Sequence, residues 1–168
     1  MSHLPPALFA TLAEAATDLY AQCADPWCVI GSAAARLLGA EVGVADVDVL
    51  TSRRDAEALI ACWAARLEPG LPAEGAERFR SRFARFRFAG LPLEVMGGLE
   101  LHGATGWQPV AAGPLQLVGV HGTPIPVPTL DAQIELCQAF GRDKDRQHAE
   151  ALRALRPPPS VLPILRVR

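Results

Sequence analysis

The chain has 168 residues, half of them apolar and 20% charged, with 16 basic against 18 acidic side chains. One domain of roughly 150 residues plus a short tail is expected at that length, with enough chain to bury a core without disulfides or metals. The composition excludes intrinsic disorder, and the net charge of −2 excludes a general electrostatic grip on nucleic acid or an anionic membrane. No apolar run reaches the ~18–20 residues that span a bilayer. The first residues lack the basic region of a signal peptide, so the cytoplasm is the expected compartment.

Leu8, Leu12, Ala15, Ala16 and Leu19 recur at helical spacing and predict an amphipathic helix over residues 5–22. Asp25-Pro26 breaks it. Trp27 to Ile30 is a short apolar strand that runs into Gly31-Ser32. Residues 33–38 then form a short helix, with Ser32 suited to cap it and Gly39 to end it. Residues 44–51 alternate and are rich in β-branched side chains, which predicts a strand. Ser52-Arg53-Arg54-Asp55 matches a capping box and opens a helix with Leu59, Ile60, Trp63 and Leu67 on its buried side. Residues 68–76 are a loop.

From Phe79 to Phe88 aromatic residues and Arg interleave, and Ala89-Gly90 turns the chain into residues 91–96, a predicted hairpin. Residues 97–114 are turn-rich and show no clear period. Residues 115–120 and 125–127 predict a second hairpin around His121-Gly122-Thr123. Thr129 caps a helix that Gly141 stops after Phe140, and residues 143–155 form the last helix. The order predicts an α+β domain over residues 1–156, built on one mixed sheet with helices mainly on one face. Residues 157–168 form a Pro-rich tail.

Within the strand at 44–51, Asp46 and Asp48 point to one face and Val47 and Val49 to the other. Two carboxylates spaced about 6.5–7 Å along a strand can converge on divalent cations; equally, they can be the wet face of a half-exposed strand. Glu94 lies inside the apolar run 91–96, where a carboxylate is costly unless it is solvated, paired or metal-bound. If residues 91–96 pair with 46–50, Glu94 reaches the aspartate face, since neighbouring strands lie only about 4.8 Å apart. Gly31 and Ser32 between a strand and a helix suit close approach of a phosphate, although Gly-Ser at such a place is more often only a cap. Three acids opposite an anion-binding turn are the parts of a two-metal phosphoryl- or nucleotidyl-transfer site.

In this order, Gly31-Ser32, Asp46-Val47-Asp48 and the lone strand acid Glu94 resemble the nucleotidyltransferase superfamily related to DNA polymerase β. Val127 to Ile134 and Gly141 to His148 are similar to the closing part of small bacterial members, the abortive-infection toxins and antibiotic nucleotidyltransferases. The resemblance implies a Mg²⁺-dependent transfer of a nucleoside monophosphate from a nucleoside triphosphate to an acceptor hydroxyl, with release of pyrophosphate. Asp46, Asp48 and Glu94 would hold two Mg²⁺ ions. Gly31, Ser32, Lys144 and Arg142 would bind phosphate. Glu94 stands where Asp is more frequent, and this departure leaves a catalytically inactive nucleotide-binding or protein-interaction module as the alternative. The acceptor, whether small molecule, protein or RNA, is not specified, and a second copy or a partner chain could supply part of its site.

Fifteen of the 16 basic residues are Arg, and Lys144 is the single Lys. It either meets phosphate or pairs with its neighbours Asp143 and Asp145. Arg78, Arg80, Arg82, Arg85 and Arg87 could grip a polynucleotide or a triphosphate, but for residues 85–88 a strand with Phe inward and Arg in water is the favoured reading. Cys23, Cys28, Cys62 and Cys137 have no zinc spacing and are expected as small buried side chains. His102, His121 and His148 show no joint ligand spacing. Trp107 is expected to plug the core.

Overall fold

A computed structural model of the protein describes residues 4–70 and 76–157. The Pro-rich tail from residue 158 and residues 71–75 of the predicted loop lie outside it. Helix α1 (Pro6–Gln22) is followed by β1 (Cys28–Ile30), α2 (Gly31–Leu37), β2 (Val47–Thr51) and α3 (Arg53–Cys62), then a 3₁₀ turn at Ala64–Arg66. The chain continues through β3 (Phe79–Phe86), β4 (Leu93–Gly103), β5 (Gly106–Pro109), β6 (Leu115–Val120), β7 (Thr123–Pro128), α4 (Leu130–Phe140) and α5 (Asp143–Arg153). No described helix is long and apolar enough to cross a membrane.

The main sheet runs β1-β2-β4-β3, with β5 on the distal half of β4. It is mixed: β2 and β4 are parallel and the other pairs antiparallel. Period-two alternation sends Val47, Val49, Ala84, Phe86, Leu93 and Val95 to one face. There they meet Leu8, Leu12 and Leu19 of α1, Ala33, Ala34 and Leu37 of α2, and Ala56 and Leu59 of α3. Phe86 is fully buried and edge-on to Trp63, whose indole N–H donates to Asp18 at 2.8 Å. Helix α4 instead covers one end of the opposite face, where Leu136 and Phe140 pack on Cys28, Ile30, Leu50 and Leu99. No other described helix covers the remainder of that face. The sheet is thus an α+β platform with α1–α3 below and a partly roofed cleft above.

The region 97–114 resolves into the rest of β4 and the whole of β5. The period is broken there by a bulge. Between the pairs Arg82–Gly97 and Arg80–Glu100, three steps on β4 answer two on β3, and Gly98 takes φ +60°. The extra residue shifts the alternation. Met96 and then Leu99, rather than Gly98, line the open face.

Capping chemistry follows the sequence at α3 and α4. Ser52 Oγ accepts from Asp55 N–H, Thr129 Oγ1 accepts from Ala132 N–H, and Gly141 closes α4 with φ +66°. At α2 it does not. The helix starts at Gly31 with Ile30 as its cap position, and no side chain caps it, so Ser32 lies within the first turn. In β7, Pro124, Pro126 and Pro128 remove N–H groups along one edge, while the other edge pairs with β6. Cys28 and Cys137 are buried and Cys23 half-buried as expected, whereas Cys62 is exposed. Burial pushes the Cys28 thiol up to about 12 and those of Cys23 and Cys137 up to about 11, so all three stay protonated at neutral pH.

Because Phe86 joins β3 to α3 through Trp63, Phe86→Ala should cost about 3–5 kcal/mol of stability through its cavity. Urea unfolding of the variant should show a lowered midpoint with an unchanged slope.

Candidate active site

Strand register assembles the site. Asp48 on β2 is paired with Glu94 on β4, and Glu94 with Arg85 on β3. These three side chains therefore stand in one row across adjacent strands, on the open face. Asp46, two residues before Asp48, points to the same side. Together with Gly31, Glu68, Lys144 and Arg142 they line a cleft of about 680 Å³, a size suited to a small-molecule substrate. Its wall away from the acids is apolar and aromatic, from Phe79, Phe83, Met96, Leu99 and Phe140.

Asp48 is the most perturbed group in the row. Its carboxyl is pushed up to about 8, first by burial, then by the charges of Asp46 and Glu94 and a hydrogen bond shared with Glu94; Lys144 acts in the opposite sense. Gly31 backs directly onto it. Gly31 has φ +68°, and a Cβ there would come within 2.5 Å of Asp48 Oδ2. A side chain at residue 31 would both strain the backbone and displace the carboxylate. From the other side, Gln133 of α4 donates from Nε2 to the Gly31 carbonyl at 3.4 Å. Gln133 is 1% exposed, and its Oε1 has no hydrogen-bond partner among the described residues.

Arg85 sits among the acids. Its Nη1 donates to Glu94 Oε1 and lies 3.6 Å from Asp46 Oδ2, and its Nε is 3.2 Å from Glu68 Oε2. Arg85 is thus not in water, as the alternation of residues 85–88 suggested, although Phe86 is indeed inward. The other arginines of that stretch are largely committed elsewhere. Arg80 forks onto Glu100, Arg82 onto Glu57, and Arg78 donates to the Phe140 carbonyl. Acidic partners neutralise much of what looked like a basic strip. Among the described residues, no group of three His, Cys, Asp or Glu side chains stands arranged to hold a cation.

On the α5 side, Arg142 is held by Asp145, with Nε–Oδ2 at 2.6 Å and Nη2–Oδ1 at 3.1 Å, and it leans over Phe79 and Phe140. Asp143 pairs with Arg146. Both acids beside Lys144 are therefore taken, and Lys144 is exposed on the cleft rim with no ion-pair partner among the described residues. Of the residues singled out from sequence, Asp46, Asp48, Glu94, Gly31, Arg142 and Lys144 share the cleft; half-buried Ser32 is not among its lining residues. Glu68 and Arg85 were missed as site residues. The signal for Arg85 was its place opposite Glu94 in the hairpin; Glu68, in a loop, gave none. His102 and Trp107 meet edge-on at 5.0 Å and Arg80 lies over Trp107, so Trp107 packs on β-strand side chains rather than plugging the core.

A raised carboxyl has a definite stability consequence. The Asp48 acid stabilises the fold fully below its ordinary pKa of 3.8, and that contribution is lost as pH rises towards and through about 8. Asp48→Asn should therefore melt higher than the parent at pH 8.5, by at least the ~2–4 °C that one kcal/mol moves a chain of this size, and match it near pH 4. Thermal unfolding followed by circular dichroism at both pH values reads this directly.

No family model matches the chain, and no curated protein matches it by sequence. Solved structures do match its fold. A candidate nucleotidyltransferase of Thermotoga maritima superposes with a TM-score of 0.71 over 90% of this chain and 94% of its own, at 24% identity. The lincosamide antibiotic adenylyltransferase LnuA, bound to lincomycin, gives 0.58 at 10% identity, over 93% of this chain and 100% of its own. The antibiotic-resistance factor ANT(2'')-Ia gives 0.52 at 11% identity, over 86% and 82%. With its mixed sheet, its roofing helix α4 and its row of acids on the open face, this chain has the nucleotidyltransferase fold.

Proposed function

We propose that the protein is a Mg²⁺-dependent nucleotidyltransferase that moves a nucleoside monophosphate from a nucleoside triphosphate to an acceptor hydroxyl and releases pyrophosphate. The observation that carries this reading is the in-register pairing of Asp48 with Glu94 on parallel strands, with Asp46 beside them on the face of a substrate-sized cleft. The donor set fits the ion. Carboxylate oxygens are what Mg²⁺ takes, and Asp48 is pushed up first by burial and then by the charges of Asp46 and Glu94, a cost that a divalent cation relieves. Asp46, Asp48 and Glu94 would hold the two ions. Their chemistry when bound is neutralisation of phosphate charge and activation of the acceptor hydroxyl.

The chain's own groups supply orientation. Lys144, left free on the rim, meets the triphosphate, and Arg142 is fixed by Asp145 so that its outer face turns to the same anion. Of the phosphate cradle that the resemblance implies, Gly31 lines the cleft, with Gln133 holding its carbonyl in place, whereas Ser32 lies in the first turn of α2 outside the lining. Asp48, pushed up to about 8 by burial and then by its acidic neighbours, gives up its proton to serve as a ligand. The aromatic wall from Phe79 to Phe140 excludes water from one side of the cleft and offers flat surfaces to a base or an acceptor.

Two measurements test this reading. ATP, GTP, CTP or UTP with Mg²⁺ should raise the melting temperature, and the same nucleotide with a chelator should not; no shift with any of the four would leave the interaction-module reading. Pyrophosphate release in the presence of candidate hydroxyl acceptors should fall roughly 10²–10³-fold in Asp46→Asn, as loss of one electrostatic transition-state contact does. Lys144→Ala should instead raise KM for the nucleotide by about tenfold or more, the worth of one charged hydrogen bond.

A further inference from the structure

Four carboxylates share the acidic end of the cleft: Asp46, Asp48, Glu68 and Glu94. The one guanidinium within ion-pair distance of them, among the described residues, is Arg85, which touches Asp46, Glu68 and Glu94. Glu68 is not there by accident of a loose loop. Its N–H donates to the Arg85 carbonyl at 2.9 Å, and its neighbour Leu67 bridges Phe86, so the backbone of residues 67–68 is sewn to β3 beside Arg85.

The two ends of the guanidinium do different things. Nη1 occupies the carboxylates expected to hold metal, whereas Nε faces Glu68. Mg²⁺ needs oxygen ligands at about 2.0–2.1 Å, and Glu94 Oε1 cannot give the same lone pairs to the ion and to Nη1. Room to move exists on the Glu68 side. A second cavity of about 170 Å³, lined by Leu67, Glu68, Pro69, Phe83 and Arg85 among others, adjoins the cleft at Arg85.

Resting on the transferase reading above, we propose that Arg85 is the built-in counter-ion of the acidic triad and yields Glu94 to a divalent cation by turning into the Glu68 side. Arg85 and Glu68 are thus positioning residues that set how readily the triad accepts metal. Arg85 holds Asp46, Glu68 and Glu94 together when no ion is bound, and competes with the ion for Glu94. Glu68 holds the guanidinium once it has left, and so lowers the cost of leaving. Apparent metal affinity is the intrinsic affinity scaled by the fraction of molecules in which Arg85 has moved aside.

The test is titration of the full chain with Mn²⁺, an oxygen-seeking substitute for Mg²⁺, with free Mn²⁺ followed by electron paramagnetic resonance. Arg85→Met should bind Mn²⁺ about tenfold or more tightly than the parent, and Glu68→Gln should bind it several-fold more weakly, because the guanidinium loses its alternative partner. A folded Arg85→Met with unchanged or weaker affinity would overturn the proposal, and would mean that Arg85 only scaffolds Glu94. Should Arg85→Met fail to fold, Glu68→Gln decides alone: unchanged or tighter binding overturns the proposal, and weaker binding supports it. A parent chain that binds neither Mn²⁺ nor Mn²⁺ with a nucleotide overturns the transferase reading, and this inference with it. Failure of the variants in a metal-binding parent sinks the inference alone.

Discussion

Like charges held side by side on neighbouring strands are the constraint around which this molecule is arranged. Asp48 and Glu94 face each other across a parallel pair, with Asp46 close by. Strand spacing of about 4.8 Å leaves them no freedom to separate. Half-buried carboxylates so placed repel one another, and the structure shows the two responses open to it. One is an upward push on Asp48, to which the charges of Asp46 and Glu94 add after burial. The other is a counter-ion, supplied by Arg85 from the third strand. Neither response would be needed if the row served only as a wet face of the sheet, because exposed carboxylates on a strand splay into solvent.

Such a row needs a rigid support, and the opposite face of the same strands provides it. Val47, Val49, Ala84, Phe86, Leu93 and Val95 alternate with the charged positions and are nearly all fully buried against α1, α2 and α3. A slip of one residue in β2 would bury Asp46 and Asp48 and expose Val47 and Val49, so the register that forms the core also fixes the acids. The bulge at Gly98 completes the arrangement. By shifting the alternation it keeps Leu99 on the cleft side with Met96, and the apolar wall continues from the acids to Phe140.

This coupling explains how much could be read in advance. Element types, the caps at Ser52 and Thr129, the stop at Gly141 and the shared face of Asp46 and Asp48 follow from local chemistry or from two-residue alternation, and those signals survive in a single sequence; that Glu94 joins that face is conditional on strand pairing, which the register supplies. What failed was non-local or depended on breaking a period. The distal part of β4 and β5 were hidden because a bulge erases alternation where it occurs. The chemistry of Ser32 suits a cap and a helix from residue 33, yet the helix starts two residues earlier, at Gly31, which backs onto Asp48. Arg85 was assigned to water because alternation gives the face of a residue but not what shares that face. Glu68 reaches the site only through the chain's return past β3, and no spacing encodes that. The arginines of β3 looked free for the same reason: Glu57 and Glu100 come to them from α3 and from β4.

Gly31 shows how one backbone position can couple these layers. It ends β1, begins α2 and backs onto Asp48 where no side chain would fit, while its carbonyl is held from α4 by a buried glutamine. Helix α4 in turn leads through Gly141 directly to Arg142 and Lys144. Helix α5 packs against α4, and α4 reaches the turn behind Asp48 through Gln133. The residues that carry the cationic rim and the glycine that backs the acidic floor are thus held by one helix, so the packing that roofs the cleft also fixes the distance between its two charged ends.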